Sequence, residues 1–378
     1  MGDNPNAPKR NRRFLIIATS RKSSGIGRYA IELFRAFSSM QVPVHLLLYF
    51  RQLVSGDTLV QDIPPPSPVV PRLLASALKL GRFATKYSLF HMATPNSFDC
   101  LYNWRLRPIV ATLHDLGGVL YRFSPRSRVA APLGKKLFML TIRSLNRARS
   151  QIITPTAWLR QQLVDVADVD ADRIHVVPYG IDHSVFRPRN KVEVRKALGL
   201  PTDRPIVLHV STAAINKNVP GALAIFKRIR QVCPTALFIR IGGLTPSQRL
   251  LASGLEKNLK VIDYVDPSQI AFFYNSADVY AHPSLEEGAS FPLLEALASG
   301  VAVVASKVAP IPEVTGGAAS LLDPTDLDGF ATTVLNILNN EQHRKKSIEL
   351  GLSRVKNLTW RNAAERTLGV YTHALEMH

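Results

Sequence analysis

Residues Glu287 to Glu295 read EGASFPLLE, and they lie between two short apolar runs, Val279–Ala281 and Val301–Ala305. Each run has the length of a buried strand, and Phe291–Ser299 has the apolar content of a packed helix. A strand, a loop, a helix and a second strand in this order form the repeating unit of a parallel sheet. The stretch therefore predicts an α/β fold with this loop at the carboxyl end of a strand.

The same stretch carries two carboxylates around the start of the predicted helix. Glu287 precedes Gly288, and Glu295 lies within the helix. Unpaired N–H groups at a helix start, together with the positive end of the helix dipole, favour an anion. A carboxylate accepts hydrogen bonds and can bridge neighbouring hydroxyls. An anion cradle between two such acceptors predicts a site for a sugar attached to a diphosphate.

The alternation of apolar runs and helical stretches extends along the chain and restarts after Pro188. It predicts two similar, doubly wound parallel-sheet domains, 1–187 and 188–359, that face a central cleft, and a last helix after Trp360. The other predicted strands are Phe14–Thr19, Val44–Tyr49, Ile109–Leu113, Gln151–Thr154, Ile174–Val177, Ile206–Val210, Ala236–Ile241 and Leu259–Ile262. The other predicted helices are Tyr29–Ser38, Leu133–Ala148, Ala157–Val164, Gly221–Val232, Pro267–Ala277 and Leu327–Asn339.

The chain has 378 residues and two cysteines, Cys100 and Cys233. So few thiols exclude a disulfide framework and a thiol metal cluster, and they are typical of the reducing cytoplasm. No apolar run approaches the roughly 20 residues that a membrane-spanning helix needs. Asp168–Asp172 resembles the start of a calcium loop but lacks that loop's later Gly and Glu, so no metal site is predicted.

Positive charge is concentrated in the first half of the chain. The net charge is +19, and up to Arg187 there are 26 Lys and Arg against 11 Asp and Glu, a balance of +15. This excess predicts an acidic partner, either nucleic acid or an anionic membrane surface. The basic residues alternate with leucines rather than with stacking aromatic residues, which favours a membrane. The alternative is a set of ordinary amphipathic helices packed on the sheet. The basic residues of the two stretches in which Lys and Arg alternate with leucines are Arg72, Lys79, Arg82, Lys86, Arg126, Arg128, Lys135, Lys136, Arg143, Arg147 and Arg149.

Three further segments follow predicted strands. Gly25 lies in a glycine-containing segment that allows close backbone approach to a ligand, although a plain strand-to-helix turn also explains it. His114 can donate to a sugar hydroxyl, or it can be an ordinary turn residue beside a helix-capping Asp115. Lys217 can neutralise phosphate, although a lysine in such a loop is usually only solvated.

Taken together, the ordered motifs resemble the group 1 family of retaining glycosyltransferases with the GT-B fold. The resemblance covers nearly the whole chain. Its blocks are Ser24–Tyr29, His114–Leu116, Val177–Asp182, Asn216–Asn218, Pro283–Gly288, Glu295–Ser306, Ile311–Val314 and Leu322–Pro324.

The resemblance implies two Rossmann-like domains, with the acceptor on the first and the nucleotide sugar mainly on the second. It implies that the final helix, 360–378, packs back on the first domain. It also assigns roles to individual residues. Glu287 would hold hexose hydroxyls, the N–H groups of Gly288, Ala289, Ser290 and Phe291 would meet the diphosphate or sugar, and Glu295 would hold the ribose. Lys217 would neutralise the leaving diphosphate, Gly25 would approach the donor, His114 would line the sugar pocket, and Tyr264 would contact the base.

The chain departs from the family pattern in three places, one of which is Ser211-Thr212, where a Gly-rich strand end is common. Asn216 stands where an Arg usually precedes the Lys, and Ala289-Ser290 replaces the usual Phe-Gly. Ser290 thus adds a side chain where the backbone would approach the ligand.

The resulting expectation is a cytoplasmic, metal-independent hexosyltransferase at the inner face of the plasma membrane, with no cofactor. It would move a hexose, with mannose as first candidate, from a nucleotide sugar to a lipid-linked or polysaccharide acceptor. The alternatives are a nucleotide-sugar epimerase of the same fold, and a degenerate binding protein. Nucleic acid is the less favoured partner.

Overall fold

The computed structural model describes residues 13–18, 25–48, 52–55, 58–62, 85–93, 106–116 and 127–378. These residues form two compact units. One unit contains the described residues up to Gly180 together with Trp360–His378, and the other contains Ile181–Thr359. The sequence-based prediction puts the boundary after Arg187.

The first unit is built on an eight-stranded sheet with the order β4-β3-β2-β1-β5-β6-β7-β8. Strands β2, β1 and β5 to β8 run parallel, whereas β3 and β4 form an antiparallel extension at one edge. Because the parallel strands are buried on both faces, they read as continuous apolar runs. The strands are β1 (Phe14–Ala18), β2 (Val44–Leu48), β3 (Gln52–Ser55), β4 (Thr58–Asp62), β5 (Leu89–Met92), β6 (Ile109–Thr112), β7 (Gln151–Thr154) and β8 (Ile174–Val176).

Three strands of this sheet were not predicted from the sequence. β5 has only four residues, one of them His91, and no β-branched side chain, so its local strand signal is weak. β3 and β4 are short and partly polar. Their pairing with β2 is a tertiary effect that local periodicity does not contain.

Four helices of eight residues or more belong to the described part of this unit: α1 (Gly25–Ser39), α2 (Ser127–Arg147), α3 (Ala157–Ala167) and α12 (Trp360–Glu376). α1 begins at Gly25, and not at Tyr29 as predicted. The glycine segment is therefore the first turn of the helix and not a loop before it. Ser24 lies outside the described residues.

The last helix is fixed to the first sheet by a buried polar chain. The Tyr371 hydroxyl lies 2.7 Å from Nδ1 of His91, and Nε2 of His91 lies 2.7 Å from the hydroxyl of Thr112. Burial lowers the pKa of His91 to about 3, so the imidazole is neutral. The ring of Tyr371 also packs edge-on against Phe14 at 5.1 Å. The predicted packing of the final helix on the first unit is thus present.

The second unit has a six-stranded, wholly parallel sheet with the order β11-β10-β9-β12-β13-β14. The chain first builds outward from β9 to β11 and then returns to place β12 on the other side of β9. The strand order therefore reverses between β9 and β12. The strands are β9 (Ile206–Val210), β10 (Leu237–Ile241), β11 (Leu259–Ile262), β12 (Val279–His282), β13 (Ala302–Ser306) and β14 (Ala319–Leu322).

The helices of this unit are α4 (Lys191–Ala197), α5 (Val219–Val232), α6 (Pro246–Leu251), α7 (Ile270–Ser276), α8 (Phe291–Ala298), α9 (Ile311–Thr315), α10 (Leu327–Asn339) and α11 (Glu341–Val355). The predicted start of a helix at Pro267 is wrong. Asp266 accepts from the N–H and hydroxyl of Ser268 and so shapes a turn, and the helix begins at Ile270.

Asp278 anchors α4 to the sheet. Its carboxylate accepts from Lys191 Nζ at 2.7 Å, from Arg195 Nη2 at 2.7 Å and from the Ile206 N–H at 2.8 Å. Burial raises the pKa of Asp278, but the two cations and the hydrogen bonds lower it overall. The ionised carboxylate therefore joins three separate segments of the unit.

Candidate functional site

The point where the strand order of the second sheet reverses is the natural binding position of this unit. In open parallel sheets, ligands bind beyond the carboxyl ends of the strands where the order reverses. Here that place lies beyond β9 and β12, which pair directly. The chain leaving β9 leads to Lys217, and the chain leaving β12 leads to Glu287. Two residues predicted from separate motifs thus follow neighbouring strands.

The two loops are joined by hydrogen bonds from the asparagines on either side of Lys217. Asn216 Nδ2 donates to the Glu286 carbonyl at 3.2 Å, and Asn218 Nδ2 donates to the Pro283 carbonyl at 2.9 Å. The N–H of Leu285 donates to the Asn216 carbonyl at 2.8 Å. These bonds fix one loop against the other.

Asn218 also starts the helix that follows its loop. Its backbone is left-handed (φ 50°), and its side-chain oxygen accepts from the Gly221 N–H at 3.1 Å. A Cβ at position 221 would crowd the Asn218 amide, so a larger residue there would have to displace the capping side chain. The cap holds the loop of Lys217 at its far end, while the bonds to the glutamate loop hold it along its side.

Lys217 and Glu287 form a direct ion pair between these loops. The Lys217 Nζ lies 2.8 Å from Oε1 and 2.8 Å from Oε2 of Glu287. The Glu287 side chain is only 3% exposed, whereas that of Lys217 is 24% exposed. Burial raises the pKa of Glu287, but the charge of Lys217 and hydrogen bonds from His282 and Lys217 outweigh it and lower the pKa to about 2. The site therefore holds a permanent carboxylate under a solvent-reachable ammonium.

His282 and Tyr280 complete the site, and the sequence motifs do not include them. Nε2 of His282 lies 2.8 Å from Oε1 of Glu287, and Nδ1 lies 2.9 Å from the Tyr280 hydroxyl. The two residues are two positions apart on β12, so both project to the same face of the sheet. The sequence signal for these two residues was their spacing of two positions at the end of the strand that precedes the glutamate loop.

The loop from Gly288 to Phe291 leads into α8, as predicted. Ser290 is the residue before the helix and makes no side-chain bond to its first turn. Its side chain is buried instead, with Oγ 3.4 Å from Nε2 of His282. Gly288 and Ala289 are partly buried. The side chain of Ser290 is therefore turned inward, toward His282.

The two other residues of the second unit that were predicted to bind the donor, Glu295 and Tyr264, differ in exposure. Glu295 is buried in α8, and its Oε2 accepts from Tyr274 at 2.9 Å. Tyr264, in the loop after β11, is 68% exposed. Glu286, the residue before Glu287, is partly buried.

The first unit contains the two other predicted site residues. Gly25 is exposed at the start of α1. His114 follows β6 and is buried, with Nε2 2.7 Å from the Ala93 carbonyl and Nδ1 2.7 Å from the Tyr179 hydroxyl. A carbonyl accepts only, so Nε2–H donates to Ala93 and Tyr179 donates to Nδ1. Burial lowers the pKa of His114, in keeping with this neutral form. Both ring nitrogens are thus bonded within the protein.

α2 carries part of the predicted basic surface; Lys86 and Arg149, which are also described and exposed, lie outside this helix. Lys136, Leu140, Arg143 and Arg147 are exposed, and their spacing puts them on one side of the helix. The residues Arg72, Lys79, Arg82 and Arg126 and the side chains of 127–135 lie outside the described residues. Within the described ranges, no helix is long and apolar enough to span a bilayer, and no three His, Cys, Asp or Glu side chains group as metal ligands would.

Two family models match the two halves of the chain. Residues 190–353 match the model described as glycosyl transferases group 1, and residues 23–185 match the model described as glycosyltransferase family 4. The O-antigen chain mannosyltransferase B of Escherichia coli is 26% identical over 380 residues, covering 92% of this chain and 96% of that protein.

Solved structures share the architecture at low sequence identity. Sucrose-phosphate synthase of Thermosynechococcus elongatus has a TM-score of 0.78 at 20% identity, covering 97% of this chain and 100% of that chain. The Anabaena protein HepE in complex with UDP-glucose has a TM-score of 0.76 at 17% identity, covering 96% and 99%. These likenesses establish the fold of the chain.

Proposed function

Since this chain belongs to the group 1 family of glycosyltransferases and has the GT-B fold, we propose that it is a retaining hexosyltransferase that uses a nucleoside-diphosphate sugar. The acceptor would be a lipid-linked sugar or a growing polysaccharide. Mannose is the sugar we favour, because the E. coli relative that matches almost end to end is a mannosyltransferase. Neither an epimerase nor a degenerate binding protein gains support from these relatives.

The observation that carries the proposal is the Lys217–Glu287 pair beyond β9 and β12. A diphosphate leaving group carries negative charge that an ammonium can stabilise as the sugar–phosphate bond breaks. The side chain of Lys217 is 24% exposed, so an incoming diphosphate can approach it. The carboxylate of Glu287 can accept hydrogen bonds from sugar hydroxyls. The ammonium that would bind the diphosphate and the carboxylate that would bind the sugar are thus hydrogen-bonded to each other.

The proposed reaction needs no protein base. The bond between the anomeric carbon and the diphosphate oxygen breaks, and the acceptor oxygen bonds to the same face of that carbon. The acceptor's proton passes to the departing phosphate. Lys217 would stabilise the charge of the phosphate throughout, which makes the reaction independent of a metal ion. Transfer that continues unchanged in excess EDTA would support this, and transfer restored only by a divalent cation would refute it.

The donor base is open to direct measurement. HepE was crystallised with UDP-glucose, which supports a nucleotide-sugar donor but not a particular base for this chain. A ligand that binds the folded state stabilises it and so raises Tm. At a concentration of 100 times its Kd, the gain in the free energy of unfolding is about 2.7 kcal/mol. We expect GDP-mannose to raise Tm more than UDP-glucose or ADP-glucose. A larger rise in Tm with UDP-glucose or ADP-glucose would favour glucose over mannose as the donor sugar.

Substitution of the proposed donor residues tests the assignment. Lys217→Ala and Glu295→Ala should each suppress transfer while leaving the fold intact. Glu349→Gln is the matched control, because Glu349 is exposed on α11 and far along the chain from the site loops. An anomeric proton spectrum of the product tests retention of configuration. Near-normal transfer by both alanine variants, or an inverted product, would contradict the proposal.

Membrane association is a further part of the proposal. The exposed side of α2 combines Lys136, Arg143 and Arg147 with Leu140, which is 41% exposed. Basic side chains around an apolar one suit the surface of an anionic bilayer. A lipid-linked acceptor would then meet the enzyme at the membrane on which it is held.

A further inference from the structure

His282 is wholly buried at the carboxyl end of β12, where its ring joins two functional groups. One ring nitrogen contacts the carboxylate of Glu287 at 2.8 Å, and the other contacts the hydroxyl of Tyr280 at 2.9 Å. A buried imidazole with both nitrogens bonded is fixed in its plane and cannot rotate freely. His282 is therefore a rigid support on the side of Glu287 that faces the core.

The direction of the hydrogen bonds follows from the chemistry of the partners. An ionised carboxylate accepts only, so Nε2 of His282 carries a proton and donates to Oε1 of Glu287. Nδ1 of His282 lies 2.9 Å from the Tyr280 hydroxyl, which donates to the Val210 carbonyl at 3.3 Å. Lys217 donates to the same carboxylate from its other side. Hydrogen bonds thus connect Tyr280, His282, Glu287 and Lys217 in one chain.

We propose that His282 is a positioning residue for glycosyl transfer, which orients the carboxylate of Glu287 and, through it, the ammonium of Lys217. This inference rests on the function proposed above for those two residues. Oε1 of Glu287 takes bonds from both His282 and Lys217, whereas Oε2 takes its bond from Lys217. His282 is thus the fixed partner that stops the carboxylate from turning about its last side-chain bond.

The consequence is expected in the chemical step more than in binding. The ion pair can survive without His282, but its orientation would vary, and a displaced group stabilises a developing charge less well. A misplacement of about 1 Å at a reacting centre can cost on the order of 100-fold in rate. The hydroxyls of Ser284 and Ser290 lie 3.1 and 3.4 Å from Nε2 of His282, so the surroundings accommodate another polar group there.

Two amide substitutions separate positioning from simple packing. The amide nitrogen of His282→Gln replaces Nε2 and can still donate to Glu287. The shorter His282→Asn replaces Nδ1 and cannot reach Glu287. Ser306→Ala is the control, because the Ser306 hydroxyl donates to the backbone carbonyl of His282, at 3.4 Å, and not to its ring. All three proteins would be assayed for kcat and donor KM with GDP-mannose and with UDP-glucose, beside Tm.

We expect His282→Asn to lose about 10- to 100-fold in kcat with donor KM changed by less than about threefold. His282→Gln should stay within about fivefold of the wild-type kcat, and Ser306→Ala should match the wild type. A purely structural role would instead lower Tm in both amide variants and would not distinguish them in kcat. Equal kcat in the two variants would overturn the inference.

Three further outcomes are decisive. Should His282→Asn fail to fold, His282→Gln still decides: near-normal kcat supports the inference, and a loss above about 10-fold at unchanged Tm overturns it. A wild-type protein that turns over neither donor would overturn the proposed function and this inference together. An active wild type with three equally active variants would overturn this inference alone.

Discussion

The ammonium of Lys217 lies 2.8 Å from each carboxylate oxygen of Glu287, a residue 70 positions away in the chain. The two loops that carry them follow paired strands, and side-chain bonds from Asn216 and Asn218 hold those loops together. Each charge therefore neutralises the other before a donor arrives. A bound diphosphate would share an ammonium that is already in place.

We predict that Lys217 and Glu287 are energetically coupled. Lys217→Met leaves a buried carboxylate without its cation, whereas Glu287→Gln leaves an amide oxygen that still accepts from Lys217. Urea unfolding of the two single variants and the double variant should give a coupling energy of about 1–3 kcal/mol. Both single variants should also lose on the order of 100-fold in kcat. Stability effects that add within about 0.5 kcal/mol would show that the pair is not coupled.

The same pair predicts how stability depends on pH. The pKa of Glu287 is lowered from 4.5 to about 2 in the folded protein. The folded state therefore binds this proton less readily than the unfolded state, so the stabilisation is present above pH 4.5 and is lost as pH falls toward 2. Urea unfolding between about pH 5 and about pH 3, a window set by these pKa limits, should show a steeper loss in the wild type than in Glu287→Gln. Parallel slopes would contradict this.

The regular parts of the fold were predictable from local sequence. Strands Gln151–Thr154, Ile206–Val210 and Leu259–Ile262 and helix Leu327–Asn339 have the predicted limits, because each has a clear apolar pattern. Leu89–Met92 was missed although it is a central strand. Its identity as a strand comes from its neighbours β1 and β6, which local patterns do not record.

The candidate site was predictable only in part. The loop motifs singled out Lys217 and Glu287 separately, and the structure joins them directly. The inward turn of Ser290 and the support from His282 depend on side-chain packing, which spacing alone does not determine. Spacing likewise does not determine the surroundings of His114, whose two ring nitrogens are bonded to Ala93 and Tyr179.

Removal of the Asp278 carboxylate should destabilise the second unit far more than removal of an exposed carboxylate. Asp278→Asn leaves Arg195, which is 4% exposed, without its charged partner and weakens the bond to Lys191. Breaking a buried ion pair in this way costs about 3–5 kcal/mol. Asp328→Asn is the control, because Asp328 pairs with Arg228 at an exposed position and such pairs contribute about 0–1 kcal/mol. Equal losses in urea unfolding would show that Asp278 is not the anchor.

The exposed side of α2 should bind anionic membranes electrostatically. Lys136, Leu140, Arg143 and Arg147 share that side, and each basic residue near a bilayer contributes about 1 kcal/mol. In flotation with vesicles that contain phosphatidylglycerol, the wild type should float at low salt and be released at high salt, since salt screens surface charge. Reversal of the three basic residues to Glu should reduce binding by on the order of 100-fold.

The matched control for this experiment reverses three exposed lysines of the second unit, Lys260, Lys345 and Lys346, to Glu. It changes the net charge by the same amount at a different place. If binding depends on the surface of α2, the control variant should still float with the vesicles. Equal loss in both variants would show that net charge alone drives the association, and no flotation of the wild type at low salt would remove membrane contact from the proposal.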